Sequence, residues 1–163
     1  MQERWETIEA FPLYKISDQG EVFSSLTEKV LCKSLTKQGH HKVQLMREGI
    51  AYTRSVGALV AKTFLEPPPR EDFTAIIHLN GDKIDCRAEN LMWRPHYFAM
   101  AYHEQFMYPY FELTFTHVRD IKTGREYRPI QKAVVEHGLL LKDIQISMSV
   151  SYTHLTLPTI YSV

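Results

Sequence analysis

The stretch that most constrains this chain runs from Ile76 to Trp93. Two apolar, strand-like ends, Ala75 to Ile77 and Leu91 to Trp93, flank a polar loop that contains Gly81. A strand ending on His78 therefore faces a strand entered through Asn90, which is a short hairpin carrying an imidazole. Pro95 follows, then His96 to Phe106, a segment that reads as a helix with proline in its first turn, where the missing N–H costs nothing. The order strand, loop, strand, helix predicts an α+β protein and excludes an all-helical or all-β one.

At these residues the chain resembles a known family. His-x-Asn-Gly at 78–81, followed by Glu89-Asn90-Leu91-x-Trp93, is similar to the core of the HNH nucleases, in particular the phage and intron homing endonucleases of that class. The resemblance implies a ββα-metal core that hydrolyses DNA phosphodiester bonds. His78 would be the general base, and Asn90 would pin the loop so that the imidazole keeps its rotamer. Such hydrolysis needs a water made nucleophilic and a cation to stabilise the charge that builds on the phosphate. In the family one divalent ion, normally Mg2+, is held by an Asp directly before the His and by an Asn or His on the helix. Those two positions fall here on Ile77 and Ala99. Neither can ligate magnesium, which requires oxygen donors. His103, one turn beyond Ala99, and Asp82 or Asp85 in the loop are the substitutes from which a displaced site can be drawn; as residues alone, they read more readily as solvated loop acids and a helix-surface histidine.

The N-terminal part reads as β structure. Trp5 to Ile8, then Tyr14-Lys15-Ile16-Ser17 and Val22-Phe23-Ser24 about an Asp18-Gln19-Gly20 turn, alternate as a hairpin does, with Gly20 needing positive φ. A second hairpin, Lys42 to Met46 and Ile50 to Arg54, turns at Glu48-Gly49. Trp5 is expected to plug the core. The wording Trp-x-x-Ile, then Tyr-x-Ile-Ser-x-x-Gly-x-Val-x-Ser, resembles the modular DNA-binding domain that precedes the HNH core in phage homing endonucleases. Overall charge is balanced, with 19 basic and 19 acidic residues, which is unusual where affinity depends on neutralising phosphates. The middle of this part is locally basic, however, and Lys29, Lys33, Lys42, Arg47 and Arg54 are the expected DNA-binding residues. A ribbon with such residues on one face can lie in a DNA groove.

Val56, Leu59, Val60, Ala61 and Phe64 recur at helical spacing, so Val56 to Phe64 is predicted to be a short amphipathic helix. The resembled family writes Val-His-Arg-Leu-Val-Ala here; this chain has Gly57 and Ala58 in place of the polar pair. Pro67-Pro68-Pro69 then ends the helix and stiffens the connection.

Beyond the core, Glu112 to Val118 reads as a strand, Lys122 to Arg125 as a turn, and Pro129 to His137 as a helix with an apolar stripe of Ile130, Ala133 and Val134, capped by Gly138. A second helix begins near Lys142. The pattern is similar to the helix-turn-helix modules found behind HNH cores. From Val150 to Thr159 the chain reads Val-Ser-Tyr-Thr-His-Leu-Thr-Leu-Pro-Thr, which resembles the translation of a sequencing-library adapter and lacks any Asp, Glu, Lys or Arg. This tail is set aside from fold reasoning.

The expected organisation is thus a β DNA-binding domain at 1–55, a ββα-metal core with its preceding helix at 56–108, a truncated strand and helix-turn-helix segment at 109–149, and an adapter-like tail at 150–163. Cys32 and Cys86 form no CxxC, so no zinc staple or disulfide framework is expected. No apolar run approaches the roughly 20 residues that cross a bilayer. The expected function is a cytoplasmic, monomeric, homing-endonuclease-like protein of a phage-infected or bacterial cell, binding double-stranded DNA and nicking it with a divalent cation. The alternative is a catalytically dead DNA-binding protein derived from such a nuclease.

Overall fold

The computed structural model describes residues 3–108, 118–120 and 123–150. The chain is a mixed α+β protein with several small antiparallel sheets, and it divides into two compact units, Met1–His96 and Tyr97–Val163.

In the first unit, strands β1 (Trp5–Ile8), β2 (Phe11–Ser17), β3 (Val22–Ser24) and β4 (Lys29–Val30) pair in sequence order as one sheet. The turn between β2 and β3 is built by Ser17, whose hydroxyl accepts hydrogen bonds from the Glu21 and Gln19 N–H groups. Gly20 completes it at φ +84°. Strands β5 (Ser34–Leu35), β6 (His41–Arg47) and β7 (Ile50–Ser55) form a second sheet, and the Met46 N–H donates to the Tyr14 hydroxyl at 3.0 Å, tying the two sheets together.

Trp5 does not plug the core. It pairs with Ser17 on the sheet face opposite Ile16 and Val22, is half-buried, and meets the edge of Phe23 at 6.3 Å. The two-residue period of a strand decides this: Ile16 and Val22 are fully buried on the inner face, so Trp5, of the other parity, lies on the opposite one.

Ser55 caps α1 (Val56–Phe64), its hydroxyl accepting from the Ala58 N–H. Helix α1 joins Ile8, Phe11, Tyr14, Ile16 and Val22 of the first sheet, Val43 and Leu45 of the second, and Cys86 and Leu91 in one core. The hairpin of β8 (Ala75–His78) and β9 (Leu91–Arg94) closes over this helix. The boundary expected between residues 55 and 56 thus falls inside a unit whose sheets and hairpin share that core.

In the second unit, α2 (His96–Gln105) packs with α3 (Gln131–His137) and α4 (Leu141–Val150). The buried Gln105 amide donates to the Leu139 carbonyl at 3.3 Å and accepts from the Leu141 N–H at 3.0 Å, so it bridges the connection between the two later helices. Gly138 takes the left-handed conformation that ends α3, and Ile130, Ala133 and Val134 are fully buried, as their spacing implies. Short strands β10 (Val118–Arg119) and β11 (Glu126–Tyr127) pair beside them. Apart from Val118, the strand expected over 112–118 lies outside the described residues, as does the adapter-like tail beyond Val150.

Gly20 carries a double constraint, since an added β carbon would stand 3.0 Å from the Cys86 β carbon on a backbone already at positive φ. Gly20→Ala is expected to cost about 2 kcal/mol of stability, read as a lowered urea midpoint with the denaturant slope unchanged.

Candidate functional site

The loop between β8 and β9 is organised by one buried amide. Asn90 follows a single 3₁₀ turn, Ala88–Asn90, and is 7% exposed. Its Oδ1 accepts from the Asn80 N–H at 3.0 Å, while its Nδ2 donates to Asn80 Oδ1 at 3.0 Å and to the Asp85 carbonyl at 2.9 Å. The Asn90 carbonyl also accepts from the Leu79 N–H. Two separated points of the loop are therefore clamped to the residue that immediately precedes β9, directly beyond the His78–Leu91 pair. Asp82 closes a small turn by accepting from the Ile84 N–H. Asp85 is gripped from two sides, by Arg87 through Nε and Nη2, each at 2.8 Å, and by the Asn80 side chain at 2.8 Å. The Arg87 hydrogen bonds hold the Asp85 carboxyl below the usual carboxylate range despite the opposing effect of burial.

His78 is 2% exposed. It shares a hairpin face with Leu91, turned toward α1, where a β carbon on Gly57 would lie 3.5 Å from its Nε2 and 3.8 Å from Cys86 Sγ. Position 57 thus faces the imidazole rather than an open surface. Burial pushes the Cys86 thiol up to about 11, so it stays protonated. A second imidazole, which the sequence reading did not single out, comes from the turn between β5 and β6: the His40 ring centre lies 5.6 Å from that of His78. Its only local sign in the sequence is the pair His40-His41 after Gly39.

The magnesium positions implied by the resemblance do not fit the ion. Ile77 is fully buried on the hairpin face opposite His78, paired with Met92, and Ala99 is buried within the second unit. Asp85 is committed to Arg87, Asp82 is exposed in its turn, and His103 meets the edge of Tyr102 within the second unit. Among the described residues no three His, Cys, Asp or Glu side chains gather as a metal-binding group.

The five expected DNA-binding cations are not gathered on one face. Lys29 is exposed on β4. Lys33 is half-buried, bonded to the Gly20 carbonyl at 3.2 Å and paired with Glu21 at 2.5 Å, so it fastens the turn that carries Gly20. Strand alternation puts Lys42 with Gln44 on one side of the second sheet, and Arg47 and Arg54 with Val43 and Leu45 on the other. Arg47 pairs with Glu48, and Arg54 lies over the rings of Phe11 and Tyr52. Arg54 also lines a groove of about 630 Å³ between β1 and α1, together with Arg4, Lys62, Glu6 and Glu9.

Two expectations follow. Asn90→Ala leaves the Asn80 N–H and the Asp85 carbonyl without this partner and should destabilise the protein by about 3 kcal/mol, with faster amide exchange at Asn80. Because the Asp85 pKa is depressed by folding, its contribution is complete above the ordinary carboxylate range and is lost as pH falls from there through the depressed value. Carboxyl NMR should show Asp85 titrating below the ordinary range in the native protein and moving back toward it in Arg87→Ala.

With this geometry in place, comparison with known proteins is direct. The NUMOD4 motif matches residues 3–46. An uncharacterized HNH endonuclease, L247, of Acanthamoeba polyphaga mimivirus is 39% identical over 53% of this chain and 22% of its own length. The DNA endonuclease I-HmuI of Bacillus phage SP01 is 32% identical over 55% of this chain and 51% of its own, and the H-N-H endonuclease F-TflII of Escherichia phage T5 is 28% identical over 55% and 47%. The chain therefore spans between about a fifth and a half of the length of these relatives. A solved structure of the HNH homing endonuclease I-HmuI superposes with a TM-score of 0.56 over 93% of each chain at 22% identity, a likeness of fold. The motif at the N-terminus, the partial relatives and the shared fold agree in one direction: this chain is similar to HNH homing endonucleases in sequence and in fold.

Proposed function

We propose that this protein binds double-stranded DNA as a monomer through its N-terminal β sheets and nicks one strand, with His78 as general base. The observation that carries this reading is the Asn90 clamp, which holds the loop against the strand bearing His78 by three side-chain hydrogen bonds. A general base must be held in one orientation before its proton affinity is of use, and a pre-formed clamp does this before DNA arrives. In the step itself a ring nitrogen of His78 takes a proton from water as the water oxygen bonds to phosphorus. The bond from phosphorus to the leaving sugar oxygen breaks with its electron pair going to that oxygen, which takes a proton from solvent. The cytoplasm of a phage-infected or bacterial cell is where such a substrate is met.

Contact with the phosphate backbone is assigned to Lys29, Lys42, Arg47 and Arg54, with Arg4 and Lys62 flanking the groove beside α1. Lys33 is left out because its charge is already spent on Glu21.

A second reading, DNA binding without cleavage, is favoured by one specific observation: both family metal positions are buried and apolar, at Ile77 and Ala99. A general base acting without a metal supplies only about 10²- to 10⁴-fold, so any cleavage by this chain is expected to be slow.

Two assays decide between the readings. A gel-shift titration across salt should show affinity that falls steeply with ionic strength; affinity indifferent to salt would remove DNA as the partner. Nicking of supercoiled plasmid, with and without magnesium or manganese, should be slow and should fall about 100-fold or more in His78→Ala at unchanged DNA affinity. Salt-dependent binding with no nicking under any of these conditions establishes the non-cleaving reading.

A further inference from the structure

We propose that His40 is a positioning and relay residue for His78: it carries the proton that His78 takes from the attacking water out to solvent. The inference rests on the nicking reading above and deepens it by naming a second member of the site.

Three observations carry it. First, His78 is 2% exposed, and DNA seated to deliver the attacking water would cover what opening the ring has, so a neighbouring group is the available route for the proton while DNA is bound. Second, His40 is half-buried, with its ring centre 5.6 Å from that of His78 and the planes tilted by 38°. A direct hydrogen bond or one bridging water spans such a separation. Third, the turn that presents His40 is closed on itself. The His40 N–H donates to the Thr36 hydroxyl at 3.1 Å, the Thr36 N–H to the His40 carbonyl at 2.8 Å, and the Gly39 N–H to the Thr36 carbonyl at 3.0 Å, with Gly39 at φ +83°. The Lys83 ammonium, from the β8–β9 loop, donates to the Gln38 carbonyl at 3.4 Å and pins this turn against the loop.

The surrounding charges suit a relay that starts empty. Burial, with the Lys83 charge adding to it, pushes the His40 imidazole below its ordinary value, so it is neutral near pH 7 and able to accept. Among the described residues Cys86 also lies near Gly57, as His78 does, and its thiol stays protonated. The step balances. Water gives one proton to His78 as its oxygen bonds to phosphorus, and the leaving sugar oxygen departs with the bonding pair and takes one proton from solvent. His78 passes its proton to His40, which releases it to solvent, and both rings return neutral.

The test uses the full chain with His40→Phe, which keeps a flat ring against His78 but cannot carry a proton, and His40→Gln in case the aromatic variant fails to fold. The expected result is a nicking rate at least tenfold lower at unchanged DNA affinity and unfolding midpoint, with partial recovery of His40→Gln by free imidazole in the buffer. Imidazole NMR of the wild type should show the two rings titrating as a coupled pair, and His78 titrating in a single step in His40→Phe. Nicking by His40→Phe at the wild-type rate, or independent titration of the two rings in the wild type, overturns the relay while leaving His78 as the base. A wild type that shows the coupled pair but nicks under no condition removes the nicking reading, and the relay with it.

Discussion

The first unit depends on one buried helix face. Val56, Val60 and Ala61 of α1 are fully buried and Leu59 nearly so, and against them lie side chains of both N-terminal sheets and of the β8–β9 hairpin. The β8–β9 hairpin in particular needs this cover, because a two-stranded hairpin is marginal in water until a third element packs on it. Each buried Val or Leu side chain is worth roughly 1.5–3 kcal/mol, so α1 is the element through which the sheets and the hairpin stabilise one another. Gly57 permits the closest part of this packing, because no side chain separates the helix from Ile76, His78 and Cys86.

This arrangement explains how the hairpin keeps its shape. The loop is held by Asn90, by the hydrogen-bonded carboxylate of Asp85 and by the docking of the β2–β3 turn, where the Ala88 N–H donates to the Asp18 carbonyl. All of these bonds are made by groups of the protein itself, and Ile77 adds a fully buried side chain on the opposite hairpin face. The acidic groups of the loop are engaged within the loop itself: Asp85 with Arg87, and Asp82 with the backbone at Ile84.

The second unit follows a related economy. Gln105 fills the hydrogen-bonding needs of the connection between α3 and α4 from inside the helical cluster, satisfying a backbone N–H and a carbonyl that would otherwise be buried unpaired. Tyr102, fully buried one turn earlier on α2, reaches the Val134 carbonyl on the same side. Helix α2 therefore presents a polar but buried edge, which its mixed composition disguises in the sequence.

What the amino-acid order determined by itself was everything governed by local period and turn chemistry. The two N-terminal hairpins, α1, the His78–Asn90 hairpin, α2 and the Gly138 cap all follow from alternation, helical spacing and positions that only glycine occupies without strain. The family wording at 78–93 was legible for the same reason, being one contiguous loop. What only the tertiary structure decided was which face of an element meets which neighbour. Trp5 lies on the opposite sheet face because Ile16 and Val22 claim the inner one; Lys33 is a structural clasp because Glu21 lies beside it; and His40 meets His78 although 38 positions separate them along the chain. Such contacts depend on how independently formed sheets dock on α1, and no period in the sequence encodes a contact between elements that never pair their backbones.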